Sequence, residues 1–442
     1  MTHSSQTKWA ILAGGLGTRI EKIAQNKPKI LLEVNGKTIL EQQIEILEKN
    51  GIREIHLLLG FKANEVITFV NKLKSYSHVK ITCHIEAEPL GTGGALLEFL
   101  KGVSGNIGVS HGDLFIDTEI LEFIAETDNG GWDWGQIVHP SNHVFDSDIV
   151  VVNESQRIVE YLLKPHNPSF DFKNLTNAGI YYFTSNCVQT IVSIFKEQQL
   201  PFDLDRVLLP KLLEFELRGY AHQDIGTCID IGTSERFKSF NLWMKSNPFI
   251  GKVRPMVFID RDGVINEDLG WISNIGDFKM YPDVPKNIAK LNDLGIRVVV
   301  VTNQSVVARG GITLEGLNKM HDHFESLLAA QSAFVDGIYV CPHHPDKGFD
   351  QEIDHLKIEC ECRKPQIGLF LKALNKFPTD IKSTFLIGDS WRDEQAAKKL
   401  GIKFLPTRDF KPEITGKKTN LDFYFSSLNS AVSHIVNDLT FN

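Results

Sequence analysis

Two aspartates stand two residues apart after an apolar run, in the segment VFIDRDGVIN at Val257–Asn266. In an extended or turning chain, residues at i and i+2 project the same way, so Asp260 and Asp262 can face one pocket. One carboxylate can attack phosphorus while the other carries a proton to the leaving oxygen and then activates water. The segment is equally typical of an Asp-Gly turn between a strand and a loop, so the motif alone leaves both interpretations open.

Three of the six cysteines fall into one short window, as the pairs Cys341-x-His343 and Cys360-x-Cys362. Thiolates and an imidazole suit tetrahedral Zn²⁺, and with no fifth ligand in the pattern the site is predicted to be structural. Zinc would close the acidic loop between the two pairs and fix the CRKP segment behind it. His344 is left out of the ligand set because the four positions are filled. The alternative is a group of unrelated buried cysteines beside a surface histidine.

The first half of the chain carries a glycine-rich loop, LAGGLGTR at Leu12–Arg19, and Lys29 follows it in NKPKILLEV. Backbone N–H groups of clustered glycines can approach an anion closely, and Arg19 adds donors for phosphate oxygens. The spacing fits neither GxGxxG nor the P-loop. Asp113, in GDLFID, and Asp230, in IDIGT, could share a Mg²⁺ that bridges substrate phosphates. Alone, each aspartate is more typical of a turn or a helix cap, whereas together they favour the metal.

These motifs lie in a repeated pattern of a β-branched run, a turn with Gly or Asp, and a helical stretch. The pattern restarts after Pro248, which predicts two α/β domains with largely parallel sheets, at 1–245 and 256–442, joined by a linker at 246–255. Strands are predicted at Trp9–Leu12, Ile55–Leu59, Ile81–Ile85, Ile107–Ser110, Gln136–His139, Val257–Asp260, Val298–Thr302, Gly337–Val340 and Phe385–Gly388, and helices at Thr38–Asn50 and Gly93–Leu100.

Composition excludes several classes of protein. The chain of 442 residues has 42% hydrophobic and 23% charged residues, as an ordinary globular protein does. Its net charge of −8 provides no basic face for nucleic acid. The longest uncharged stretch, Asn174–Phe195, is too polar for a membrane span, and the start MTHSSQTKW is not a signal peptide. We therefore expect a cytoplasmic protein with small-molecule substrates, and the sequence leaves open whether copies form a homo-oligomer.

The motifs LAGGLGTR, EPLGTGGAL, GDLFID, LLKP, NAGIYYF and IDIGTSERF, in this order across residues 9–240, resemble the sugar-1-phosphate nucleotidylyltransferases. The resemblance implies a Rossmann-like, GT-A-like fold and Mg²⁺-dependent attack of a sugar 1-phosphate on the α-phosphorus of an NTP. It implies that Lys29 neutralises charge at the transferring group and that Asp113 and Asp230 bind Mg²⁺. It assigns Gly14, Gly15, Gly17 and Arg19 to the NTP phosphates, Gly91, Thr92 and Gly93 to base and ribose, and Lys164, Asn177 and Gly179 to the sugar phosphate.

In the second half, DRDGVIN, VVVVTNQS, CRKP and FLIGDSWRDEQAA resemble the haloacid dehalogenase-like (HAD-like) phosphatases, which implies a second Rossmann-like three-layer domain. By this resemblance Asp260 is the nucleophile and Asp262 the general acid and base. Thr302 and Lys364 stabilise the phosphoryl group. Mg²⁺ is held by Asp389 and Asp260 together with the backbone carbonyl of Asp262. The ion is needed because an anionic carboxylate must approach an anionic phosphate.

DRDGVIN, TNQSVVARGG and CPHH…CECRKP, within about residues 254–410, are similar to heptose 1,7-bisphosphate 7-phosphatases and histidinol-phosphate phosphatases. The substrate contacts that this similarity implies are Asp268–Trp271, Asn303, Gln304, Ser305, Arg309 and Arg363. The heptose enzyme leaves a sugar 1-phosphate, which a nucleotidylyltransferase needs, whereas histidinol phosphate offers no such connection. We therefore expect a bifunctional enzyme that makes a GDP-heptose for surface glycans.

Three alternatives remain beside this expectation. The same two activities could act on another sugar phosphate, such as mannose 1-phosphate, or use another nucleotide. The second half could be a phosphatase of the histidinol-phosphate type. A non-catalytic sugar-nucleotide sensor would have lost its chemical residues, and the charged residues of both motif sets are present.

Overall fold

The structure is a computed structural model that describes residues 7–25, 27–73, 78–167, 170–223, 226–246, 253–411 and 425–441. These residues form two compact units. The second unit contains the chain from Ser246 together with Pro140–Val144 and Asn167–Asn174, and the first contains the rest. Of the predicted linker at 246–255, residues 247–252 lie outside the described residues. In the described part of the chain, no helix has the length and apolar character needed to cross a membrane.

The first unit is built around a mixed sheet. The strands of the unit are β1 (Lys8–Ala13), β2 (Glu33–Val34), β3 (Lys37–Thr38), β4 (Glu54–Leu59), β5 (Lys80–Ile85), β6 (Ile107–His111), β7 (Leu114–Asp117), β8 (Trp134–His139), β9 (Ile149–Val152), β10 (Ile158–Leu162), β11 (Thr176–Phe183), β12 (Gly219–Gln223) and β13 (Thr227–Asp230). Among the described residues, nine strands pair in the order β10-β9-β11-β6-β1-β4-β5, with β8 between β11 and β12. β7 and β13 form a separate antiparallel pair.

The helices of this unit are α1 (Glu21–Ala24), α2 (Ile39–Lys49), α3 (Ala63–Leu73), α4 (Gly91–Lys101), α5 (Ile120–Asn129), α6 (Ser185–Ile194), α7 (Leu209–Glu214) and α8 (Ser234–Ser246). α2 shows how the sequence starts a helix. The Thr38 hydroxyl accepts from the Glu41 N–H, and the Glu41 carboxylate accepts from the Thr38 N–H, which together form a capping box.

The central sheet has a core on each face. Along β1, Trp9 and Ile11 pack into one hydrophobic cluster with residues of α2, whereas Ala10 and Leu12 pack into another with residues of α4. Alternate residues of a strand point to opposite faces, so both faces of β1 are covered. The first unit therefore has the predicted three-layer architecture.

The second unit is a parallel sheet of β14 (Met256–Ile259), β15 (Arg297–Asn303), β16 (Gly337–Cys341), β17 (Thr384–Ser390) and β18 (Lys403–Lys411), in the order β16-β15-β14-β17-β18. Its helices are α9 (Val284–Asp293), α10 (Ser305–Ala308), α11 (Leu314–Ala329), α12 (Gly368–Lys376), α13 (Trp391–Leu400) and α14 (Leu428–Phe441). Because the sheet is parallel, the carboxyl ends of β14, β15 and β17 lie side by side.

Every strand and both helices predicted from the sequence are present, with ends within about two residues of the predicted ones. The prediction of strand from β-branched runs works here because the strands are buried on both faces and carry little polar sequence. The short strands β7 and β13 were not predicted, although Asp113 directly precedes β7 and Asp230 ends β13.

Candidate active sites

The ends of β14, β15 and β17 bring the predicted phosphatase residues together. Asp260 follows β14, Thr302 lies near the end of β15 and Asp389 lies near the end of β17. Carboxylate oxygens of Asp260, Asp389 and Asp393 all lie within 4.8 Å of one another, a grouping that could hold a metal ion. Asp393, on the first turn of α13, is fully buried. The sequence analysis placed it in the motif but gave it no role.

Lys364 is the positive charge inside this group. Its Nζ lies 2.7 Å from Asp260 Oδ2 and 2.7 Å from Asp393 Oδ1, and it also donates to the Val301 carbonyl. Burial opposes the charged ammonium, but the two carboxylates outweigh this and raise the pKa of Lys364. Burial raises the pKa of Asp260 as well, and Asp393 and Asp389 add to the effect against Lys364. Three carboxylates around one ammonium leave an excess of negative charge that a divalent cation would neutralise.

The backbone of Lys364 is held by hydrogen bonds with Asn303, at the end of β15. Asn303 Nδ2 donates to the Lys364 carbonyl, and the Lys364 N–H donates to Asn303 Oδ1. This reciprocal pair joins the end of β15 to the CRKP segment. Arg363 Nη1 donates to the His343 carbonyl, so the same segment is also tied to the cysteine cluster.

Asp262 stands apart from the three grouped carboxylates. Its side chain accepts from Arg261, Gln304 and Asn266 instead. The turn after it nevertheless passes close to Asp389, because a Cβ at Gly263 would collide with that carboxylate. The backbone of this turn therefore lies where the predicted carbonyl ligand is needed.

The four predicted zinc ligands converge. Cys362 Sγ lies 3.2 Å from the sulfurs of Cys341 and Cys360 and 3.2 Å from His343 Nδ1. All four ligand atoms lie within 4.8 Å of one another, as a tetrahedral ion requires. His344 points elsewhere, since its Nε2 lies 3.2 Å from Arg309 Nη2. The alternative of unrelated cysteines is not what the structure shows.

Arg309 lies against two aromatic rings that also contact each other. Its guanidinium carbon lies 4.4 Å from the ring centre of Trp271 and 4.8 Å from that of Phe349. Cation–π contacts of this kind help to hold a guanidinium in place. Asp268, the other end of the predicted substrate segment, has an exposed side chain and accepts from the Gly270 N–H. Ser305 begins α10.

The two aspartates of the first unit lie side by side. Asp230 ends β13, and the Ile231 N–H donates to the Asp113 carbonyl. A Cβ built on Gly232 would lie 2.5 Å from Asp113 Oδ2 and 2.8 Å from Asp230 Oδ1, so both carboxylates border the same glycine. Lys29 joins them, with Nζ 3.3 Å from Asp113 Oδ2.

Two charged residues that the sequence analysis missed surround Asp230. The Arg236 guanidinium contacts the Asp230 carboxylate through one nitrogen and the Asp146 carboxylate through another. Lys164 Nζ donates to the Asp146 carbonyl at 2.7 Å, which links a predicted sugar-phosphate residue to the same group. Arg236 lies six residues after Asp230, in IDIGTSERF, and that proximity was the available signal.

The glycine-rich loop borders Lys29 and Glu86. Gly17 has φ +70° and its α-carbon faces the Lys29 side chain. A Cβ at Gly14 would collide with the Glu86 carboxylate, so a larger residue there would displace that carboxylate. Glu86 Oε2 also accepts from the Leu90 N–H, at the start of α4. Gly15 faces open space, and Arg19 at the end of the loop is exposed.

The second glycine turn is packed against the π-helical segment Leu204–Leu208. Gly91, with φ +72°, and Gly93 have no room for a Cβ beside Phe202. The Thr92 hydroxyl donates to Asp203 Oδ2 and accepts from the Leu204 N–H. The glycines therefore let this turn approach its neighbour closely.

Two of the predicted sugar-side residues, Asn177 and Gly179, are linked to the partly buried carboxylate of Asp205. Asn177 Nδ2 donates to Asp205 Oδ1, and Asn177 Oδ1 accepts from the Gly179 N–H. Tyr181 donates to the same carboxylate, and His111 Nε2 lies 3.5 Å from its other oxygen. Burial raises the pKa of Asp205. The sequence analysis did not single out Asp205, because an aspartate beside leucines carries no signal without the fold.

These two sites define the class of protein: one unit has the carboxylate pair and glycine loop expected of a nucleotidyl-transferring enzyme, and the other groups the aspartates and the lysine expected of a phosphatase. The nucleotidyl transferase family matches residues 8–246, and the HAD-hydrolase-like family matches residues 361–428. The chain belongs to the nucleotidyl transferase family.

The chain also belongs to the family of the phosphatases it resembles. It is 39% identical over 176 residues to D-glycero-beta-D-manno-heptose-1,7-bisphosphate 7-phosphatase of Photorhabdus laumondii, a match covering 39% of this chain and 91% of that one. The same enzyme of Escherichia coli K12 is 34% identical over 181 residues, covering 40% and 92%. The structure of HddC from Yersinia pseudotuberculosis with GMP-PN is 26% identical and covers 52% of this chain and 96% of that chain, with a TM-score of 0.44. The protein thus combines a nucleotidyltransferase with a HAD-like phosphatase in one chain.

Proposed function

We propose that this enzyme removes the 7-phosphate of D-glycero-D-manno-heptose 1,7-bisphosphate and transfers GMP from GTP to the resulting heptose 1-phosphate. The products are phosphate, pyrophosphate and a GDP-heptose, a donor for surface glycans. The observation that carries the proposal is that both sites are complete in one chain, with Asp260 and Lys364 in contact in one and Asp113 and Lys29 in contact in the other. The relatives of the phosphatase leave a sugar 1-phosphate, which is the substrate class that the other site needs.

In the phosphatase site, an Asp260 oxygen attacks phosphorus and the bond from phosphorus to the sugar oxygen breaks. Asp262 gives its proton to that leaving oxygen and then takes one from the water that cleaves the aspartyl phosphate. Lys364, in the CRKP segment, and Thr302, near the end of β15, stabilise the transferring group. Asp260, Asp389 and the Asp262 carbonyl would hold Mg²⁺, with Asp393 beside them, and the ion would supply the charge that lets carboxylate and phosphate approach.

In the nucleotidyltransferase site, a phosphate oxygen of the sugar 1-phosphate attacks the α-phosphorus of the NTP and pyrophosphate leaves. Lys29 lies where negative charge develops, between Gly17 and Asp113. Asp113 and Asp230 would hold Mg²⁺, which would supply positive charge to the reacting phosphates. The backbone N–H groups of the glycine loop and the Arg19 guanidinium bind the outer phosphates.

The remaining binding residues line the two ends of this site. Gly91, Thr92 and Gly93 border base and ribose, and Lys164, Asn177 and Gly179 bind the sugar phosphate. In the phosphatase, Asp268, Asn303, Ser305, Arg309 and Arg363 surround the substrate.

Glu86 supports guanine as the base. Its carboxylate lies against the glycine loop and is tied to the turn that leads into α4. Guanine presents two adjacent donors, N1–H and N2–H₂, which match the two oxygens of a carboxylate. Adenine presents an acceptor and a donor on the same edge, so one oxygen of Glu86 would face another acceptor.

The cysteine cluster supports structural Zn²⁺ at Cys341, His343, Cys360 and Cys362, since four ligand atoms converge and four is the number that a tetrahedral zinc site takes. Zinc thiolates persist in a reducing compartment, which supports the cytoplasm as the location. We propose a domain division at 1–245 and 256–442.

The proposal is tested by incubating the protein with the heptose bisphosphate, Mg²⁺ and one NTP at a time, and measuring phosphate and pyrophosphate. We expect phosphate in every mixture and pyrophosphate with GTP alone. Pyrophosphate with a different NTP would overturn the guanylyl assignment. Phosphate release from histidinol phosphate, but not from the heptose bisphosphate, would overturn the sugar assignment.

A further inference from the structure

The carboxylate of Asp262 is surrounded by donors from three residues. Arg261 donates to it through Nε at 3.0 Å and through Nη2 at 2.9 Å and 3.1 Å. Gln304 Nε2 donates to Oδ2 at 2.7 Å, and Asn266 Nδ2 donates to Oδ1 at 2.9 Å. Both oxygens are therefore held, which fixes the plane of the carboxylate. Asp262 keeps one open face, with about a quarter of its side chain exposed (26%).

Arg261 is anchored by residues of α11. Its side chain is 1% exposed, and its Nη1 contacts the Met320 sulfur and His321 Nε2 on α11. Burial and the nearby guanidinium lower the pKa of His321 to about 3, so the imidazole is neutral and accepts this hydrogen bond. The guanidinium is thus held in one orientation before any substrate binds.

Gln304 connects the carboxylate to Thr302. Its Oε1 accepts from Arg261 Nη2 at 2.8 Å, while its Nε2 donates to Thr302 Oγ1 at 2.8 Å as well as to Asp262. Gln304 is buried, and both of its N–H donors are used within the protein. This use of its donors differs from the substrate contact that the sequence similarity implies.

We propose that Arg261, Gln304 and Asn266 are positioning residues that hold Asp262 for proton transfer to the leaving oxygen. The inference rests on the proposed phosphatase function and deepens it. The donors stabilise the carboxylate that forms when Asp262 releases its proton, so they act where the leaving group needs that proton. An alkyl alkoxide is a poor leaving group and needs it, whereas p-nitrophenolate leaves without it.

The test compares kcat/KM for the heptose bisphosphate and for p-nitrophenyl phosphate in Gln304→Met, which keeps the side-chain volume and removes the donor. We expect a fall of about 30- to 1000-fold with the heptose ester, within the range of general acid catalysis, and of less than about threefold with the aryl ester. Gln331→Met, the same substitution at an exposed position after α11, is the matched control and should leave both values within about twofold.

Equal losses on the two esters, or no loss on either, would overturn the positioning role. If Gln304→Met does not fold, Asn266→Ser removes a donor from the other oxygen, and the same unequal loss is expected. A wild-type chain that hydrolyses neither ester would instead contradict the phosphatase function itself. The two failures are therefore distinguishable.

Discussion

The Lys364 ammonium and the Asp260 carboxylate form a buried ion pair, with 2.7 Å between Nζ and Oδ2. Lys364 is 2% exposed and Asp260 8% exposed. A buried ion pair contributes little net stability, because removing both charges from water offsets their attraction. The pair is better understood as part of the reaction. The same ammonium can stabilise negative charge on the carboxylate first and on the transferring phosphoryl group afterwards.

Replacement of Lys364 should therefore disable one activity only. Lys364→Met leaves three buried carboxylates without a positive partner and removes a donor to the phosphoryl oxygens. We expect phosphate release to fall by about 100- to 1000-fold, as when one preorganised donor is lost. Nucleotidyl transfer to supplied heptose 1-phosphate should remain within about twofold of wild type, because its residues belong to the other unit. Lys372→Met, at an exposed position of α12, is the control, and a comparable loss there would contradict the role of Lys364.

Asp113→Asn should have the converse effect. It removes one charge from the pair that borders Gly232 and breaks the ion pair with Lys29. Pyrophosphate release should fall at least about 100-fold, because a metal at this position stabilises transition-state charge by several kcal/mol. Phosphate release from the bisphosphate should be unchanged. Glu119→Gln, at an exposed carboxylate six residues after Asp113, serves as the control. Loss of both activities in Asp113→Asn would argue against two independent sites.

Local sequence was sufficient for the parts of the sites that local geometry determines. Asp260 and Asp262 follow a buried strand within one turn, and the cysteine pairs carry the spacing of a metal site. Parallel strand ends then bring Asp389 to the same edge of the sheet. These residues were predicted because their positions depend on strand order and on short-range spacing.

The missed residues depend on packing between segments that are distant in the chain. Asp205 meets Asn177 across 28 residues, and Glu86 meets the glycine loop from a different strand. Arg236 reaches Asp146 across 90 residues. Single carboxylates and arginines of this kind have no periodicity or spacing that marks them. Only the fold shows what they contact.

Loss of one zinc ligand should lower both the zinc content and the phosphatase activity of the second unit. Cys360→Ser removes one of four converging ligands. We expect zinc content to fall from about one equivalent per chain to well below half, because a structural site needs all four ligands. Phosphate release should fall with it, since Arg363 and Lys364 follow the third cysteine directly. The control Cys83→Ser, in the first unit, should keep the zinc content of the wild-type protein. A wild-type protein that contains no zinc after gentle purification would exclude the site.

Glu86→Gln should change which nucleotide is used. An amide offers one acceptor and one donor, so its donor would face a guanine donor, whereas the same pair matches the acceptor and donor edge of adenine. We expect kcat/KM with GTP to fall by about 10- to 100-fold, the value of a bidentate base contact of about 1–3 kcal/mol, and use of ATP to rise relative to GTP. The measurement is pyrophosphate release with each NTP at a fixed concentration of heptose 1-phosphate. Glu88→Gln, two residues away and exposed, should keep the wild-type preference. An unchanged GTP-to-ATP ratio in Glu86→Gln would show that the base is read elsewhere, because no other change in the variant compensates for the lost acceptor.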